Sequence, residues 1–175
     1  MDANAGRRGV VFCAILAALA LAAASSGSGG SSLSTVRGYG IALRLPRGWS
    51  GVVYRRRGSL PVLHAASFPL PPVDEDDGAL RAIPRMRRRD VLFVMLEGDP
   101  RVAGYARHAL PIRLRRADFA APVEGMPLPH AFARIQFETG LRDFDLWIKL
   151  GAKPAPASAI RAANSVLATL RVAPR

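Results

Sequence analysis

Glu138, Asp143 and Asp145 flank the short stretch Thr-Gly-Leu-Arg, and they are the first place where this sequence could do chemistry. Like charges facing one another across a hairpin are costly unless something neutralises them. A hard cation such as calcium would do so through carboxylate oxygens, giving a metal-binding or cation-dependent catalytic centre. Arg142, or an arginine from elsewhere, would do so through ion pairs.

Other reaction chemistry finds little footing. A nucleophilic serine needs a strained G-x-S-x-G elbow with a histidine and a carboxylate to activate it, and the sequence contains no such elbow. His64, His108 and His130 are far apart and lack the H-E-x-x-H spacing of a zinc site. His64, on an alanine-flanked strand, reads as a packed or half-exposed histidine. The sole cysteine, Cys13, lies in an apolar leader, so its removal excludes disulfides, thiol catalysis and cysteine-ligated zinc. The expectation is a protein without a cofactor and without enzymatic activity.

Arginine dominates the charged residues. The formal net charge is +12, and Lys149 and Lys153 are the only lysines among 25 basic residues. Three clusters stand out: Arg55, Arg56 and Arg57; then Arg85 with Arg87, Arg88 and Arg89; then Arg113 with Arg115 and Arg116. Each borders an apolar strand, so they either gather into one basic rim or sit on separate turns as solvated charge. Guanidinium groups bind phosphate and carboxylate bidentately, which makes phospholipid headgroups or an anionic wall polymer the natural partner, with an envelope protein as another. Aromatics make up 7% of the chain, too few to interleave with the arginines as stacking platforms for nucleic acid.

The leader places that partner outside the cytoplasm. Arg7 and Arg8 precede the apolar run Val10 to Ala24, which ends in Ala22-Ala23-Ala24. Fifteen apolar residues fit a signal peptide and fall short of the ~20 that span a bilayer, although a retained membrane anchor through residues 10–24 is the other reading. Residues 25–35 are rich in Gly and Ser and read as a flexible tether. A single domain over residues 36–173 follows. With residues 1–24 gone the net charge falls to +11, since two arginines and one aspartate leave.

Period-two alternation marks the strands of that domain. Tyr39, Ile41, Leu43 and Leu45 form one buried face, ended by Pro46 and Gly48, with Trp49 as a lid on the sheet edge. Val52 to Tyr54 and Val62 to Phe68 read as further strands, and Val91 to Leu96, apolar throughout, as a central strand covered on both sides. Asp74 to Asp77 read as the acidic start of a short helix capped by Asp74 and stopped by Pro84. A short strand is expected near Ile112 to Leu114. The run from His130 to Gly151 reads as a hairpin turning at Gly140-Leu141 in a II′ geometry, with Phe137 opposite Phe144, Ile135 opposite Leu146, Arg134 opposite Trp147 and Glu138 opposite Asp143. Ile160, Ala163, Val166, Leu167 and Leu170 share one helical stripe. The fold class is α+β: a mainly antiparallel sheet with a short helix and a C-terminal amphipathic helix packed on it.

The opening YGIALRLPRGW, together with the closing hairpin, glycine and helix ending in VLATLRV, resembles the ends of exported PsbP-like domains. The resemblance covers Tyr39 to Tyr54 and Phe132 to Val172. It implies an α/β/α sandwich and an accessory or binding role without catalysis. It carries over no ligand or metal residue, and the chain lacks the lipobox cysteine of the lipoprotein members.

Overall fold

In the computed structural model, which describes residues 33–72, 77–98, 110–120 and 130–174, the alternating apolar segments pair into two antiparallel sheets. The leader, most of the tether and the acidic residues Asp74, Glu75 and Asp76 lie outside the described residues. The smaller sheet runs β1-β2-β8, from Ser34–Gly38, Ile41–Leu45 and Arg171–Val172. The larger runs β3-β4-β5-β7-β6, from Ser50–Tyr54, Val62–Ala66, Val91–Glu97, Arg142–Leu150 and Ala131–Thr139. One α-helix is described, α1 at Ala157–Leu167. The α+β class therefore holds, with two sheets where one was expected.

The added strand explains the division. Ser34 and Thr35, read above as the end of the tether, open β1, which pairs with β2 through a two-residue turn between Gly38 and Ile41. Both turn residues, Tyr39 (φ 50) and Gly40 (φ 77), have positive φ, the pattern of a type I′ turn, whose twist matches the flanking strands. Tyr39 consequently leaves the buried face predicted for it and is 51% exposed.

The hairpin β6–β7 has the register expected for it, Phe137 facing Phe144, Ile135 facing Leu146, Arg134 facing Trp147 and Glu138 facing Asp143. Its turn differs from the II′ form: Gly140 (φ 58) and Leu141 (φ 61) are both left-handed, again the I′ pattern, which needs positive φ at both central residues where II′ needs it only at the first.

Two apolar layers cover the larger sheet. On the inner face Phe93, Met95, Phe137, Phe144, Leu146 and Ile148 pack with Ile41, Leu43 and Leu45 of β2 and with the helical stripe of Ile160, Ala163, Val166 and Leu167. Trp49 stacks on Phe93 at 5.9 Å and closes this core at one side. The outer face carries Ala66, Leu92, Val94 and Trp147 beneath Phe68, Ala79, Ala82 and Ile83. Burying each large side chain contributes about 1.5–3 kcal/mol.

That outer cover is not the short helix expected after Asp74. Residues 77–82 form turns, followed by a 3-10 turn at Ile83–Arg85. Ala79 adopts φ 55, and the carbonyls a helix would use are taken by the sheet: Lys149 Nζ donates to Gly78 O at 2.6 Å, and His64 Nε2 lies 3.2 Å from Asp77 O. The strand expected at Ile112 to Leu114 is likewise absent. The Asn164 side chain of α1 brackets Leu114 instead, accepting from its amide at 2.7 Å and donating to its carbonyl at 3.0 Å, so a side-chain amide replaces a neighbouring strand.

Candidate anion-binding site

Ile112, Arg113, Leu114 and Arg115 form an extended run whose apolar members are buried and whose arginines face out. Asn164 holds its middle, and Asp118 Oδ2 accepts from the Arg115 amide at 2.6 Å to open the 3-10 turn Arg116–Phe119. Phe119 enters the inner core and anchors this turn beside β6. Between the run and β6 lies an open cleft of about 540 Å³, lined by Arg113, Arg115, Arg134, Gln136, Asp118 and Ile112 among others.

Arg134 reaches the cleft from β6. Its guanidinium chelates Asp145, with Nη2 to Oδ2 at 2.6 Å and Nε to Oδ1 at 2.9 Å, and stands 6.0 Å from the Trp147 ring. The side chain stays 49% exposed while the Asp145 side chain is 11% exposed, so the pair turns its cationic end to solvent. Three guanidinium groups thus border one opening that Asp118 and the already-held Asp145 only partly offset.

The three arginine clusters are all exposed but do not converge. Arg55, Arg56 and Arg57 occupy the β3–β4 turn at one edge of the larger sheet, where Arg56 approaches Asp77 at 3.5 Å and Arg55 lies 5.4 Å over the Tyr39 ring. Arg87, Arg88 and Arg89 precede β5, at the end of the sheet opposite that turn, since Val62 at the start of β4 pairs with Leu96 at the end of β5. Arg113, Arg115 and Arg116 flank β6, the other edge. The three clusters thus border different edges and ends of the larger sheet.

The acidic tip is also divided. Asp145 belongs to Arg134, and among the described residues no group of three His, Cys, Asp or Glu side chains is arranged to hold a metal ion. Asp143 is buried opposite Glu138, and its carboxyl is raised above the ordinary aspartate value of 3.8, first by burial and then by the Glu138 charge. Arg142, the nearest candidate to neutralise these acids, points to the opposite face. There it forms a buried pair with Glu97, Nη2 to Oε2 at 2.6 Å and Nε to Oε1 at 3.0 Å. The same guanidinium donates to Tyr39 O at 2.9 Å and Ala173 O at 3.2 Å.

His64 is 1% exposed and packs edge-on to Tyr54 at 5.3 Å, as a packed histidine should. Sequence reasoning missed Arg134 as a cleft residue and Glu97 as the partner of Arg142. For Arg142 the signal was present: it has the parity of Phe144 and Leu146, so alternation alone turns it inward.

No family model matches the chain, and no curated protein matches it.

Proposed function

We propose that this protein is an exported, non-enzymatic binding or accessory domain of the bacterial cell envelope, whose arginine surface holds an anionic partner. The observation that carries this reading is the open cleft bordered by Arg113, Arg115 and Arg134. Planar guanidinium forks at such an opening match phosphate or carboxylate groups bidentately. Among the described residues no aromatic side chain lines the cleft, which favours a phosphate-bearing wall polymer over stacked nucleobases. Residues 1–24 would direct export, removed or kept as an anchor, and residues 25–35 would tether the domain. The likeness to PsbP-like domains supports an accessory role, although the outer layer here is built of turns where an α/β/α sandwich would place a helix.

The test is binding of soluble poly(glycerol phosphate) to the full chain over a range of salt. Affinity should fall steeply as salt rises, and Arg113→Gln with Arg115→Gln should weaken it by about tenfold per arginine, from about 1.5 kcal/mol for each charge-assisted bond. Absent binding, or binding indifferent to salt and to both substitutions, overturns the reading.

A further inference from the structure

Acidic residues are unevenly placed along this chain. No Asp or Glu occurs between Asp2 and Asp74, and none after Asp145. The two acid-free segments meet in the fold: β1 and β2 come from the first, α1 and β8 from the second, and β8 pairs with β2. The smaller sheet and its helix are therefore built without a single carboxylate side chain.

That sheet has one buried and one open face. Val36, Ile41, Leu43 and Leu45 turn to the core. On the other face the register places Arg37 beside Ala42 and Ala42 beside Arg171, with Arg44 opposite Thr35 in the next row. Arg37, Arg44 and Arg171 are all exposed, and no ion pair joins them to a described acid. The small Ala42 leaves an open groove of about 570 Å³ between Arg37 and Arg171, bounded at one end by Tyr39.

The pole next to this face carries apolar side chains in solvent. Tyr39 is 51% exposed and Leu141 is 76% exposed. Their turns are neighbours, since Arg142, beside Leu141, donates to the Tyr39 carbonyl. Arg55 stands over the Tyr39 ring at 5.4 Å. Both apolar residues sit at left-handed backbone positions, φ 50 and φ 61, which turn them outward from I′ turns.

We infer that the open face of the β1-β2-β8 sheet docks on an anionic lipid bilayer, with Arg37, Arg44 and Arg171 against headgroup phosphates and Tyr39 and Leu141 in the interface. A bilayer satisfies both parts of the surface: anionic headgroups attract exposed arginines at about 1 kcal/mol each, and aromatic and aliphatic side chains favour the headgroup boundary. A soluble polyanion satisfies only the charges. This surface is distinct from the cleft of Arg113, Arg115 and Arg134, which lies against β6 on the other sheet.

The experiment is vesicle co-sedimentation of the full chain, read as the ratio of binding to phosphatidylglycerol vesicles over binding to phosphatidylcholine vesicles. That ratio cancels whatever the apolar run 10–24 adds to both. Arg37→Gln with Arg44→Gln, two exposed positions, should lower the ratio on the order of thirtyfold, while Arg113→Gln with Arg115→Gln should leave it within about twofold. Tyr39→Asn, which suits the left-handed backbone, should reduce the binding that survives at high salt. Unchanged melting temperatures confirm that the variants fold. An unaltered ratio in the Arg37/Arg44 variant overturns the inference. So does an equal loss in the Arg113/Arg115 variant, or indifference to Tyr39→Asn combined with displacement from vesicles by poly(glycerol phosphate). Failure of poly(glycerol phosphate) to bind at all would instead strike the cleft and leave the lipid face standing.

Discussion

Arg142 and Glu97 illustrate how a residue type misleads until its strand parity is read. Arg142 sits among three acids in sequence and meets none of them, because alternation turns it inward while Asp143 and Asp145 turn outward. Removing one partner of a buried ion pair strands the other charge. Arg142→Met should therefore cost about 3–5 kcal/mol of stability in denaturant titration, and adding Glu97→Leu should return much of it. Asp143 shows the opposite effect. Burial and Glu138 raise its carboxyl above 3.8, so folding favours its protonated form. Its contribution is most favourable below about pH 3.8 and is lost as pH rises through the raised folded value. Asp143→Asn should accordingly raise the melting temperature at pH 7, with the two proteins converging as pH falls below about 3.8. A variant less stable at pH 7 would contradict this.

Elements declared themselves in proportion to how far local pattern decided them. The hairpin β6–β7 and helix α1 were legible because alternation over 9 residues sets the register and the inner-face side chains, with β7 buried on both faces, and the helical stripe over 11 residues matches the buried side of α1. The short helix after Asp74 was not, because Lys149 and His64, distant in sequence, claim the carbonyls it needed. β8 has two residues and no pattern to read. Two sites test element geometry directly. A Cβ on Gly151 would run into the Arg87 carbonyl, so Gly151→Ala should destabilise by about 1–3 kcal/mol, the cost of forcing packed backbone apart. Leu141 carries a left-handed backbone in an exposed turn, so Leu141→Gly should add about 1 kcal/mol of stability in thermal unfolding. The unfavourable residue at that turn sits where an apolar group faces solvent.

At the level of the whole molecule, charge is distributed by segment. The acids lie between Asp74 and Asp145 apart from Asp2, and the acid-free segments before and after them fold together. Their mutual repulsion is screened within a Debye length, about 10 Å at 0.1 M salt. The melting temperature should therefore rise as sodium chloride is increased from a few millimolar to about 0.2 M, before any specific ligand is added. A flat or falling curve would mean that the arginines do not strain the fold. The cleft of Arg113, Arg115 and Arg134 was half legible: two of its arginines stood out as a cluster, while the third entered through strand pairing that only the fold supplies.

The closure of the smaller sheet sets an order of events. Arg37 and Arg171 come to stand on either side of Ala42 only when Arg171–Val172 pairs with β2, near the far end of the chain. Contacts so distant in sequence form late, after the loops between them have closed. A half-synthesised chain thus holds the basic charge of this sheet as loose segments, and the Arg37–Arg171 face exists only once β8 has docked.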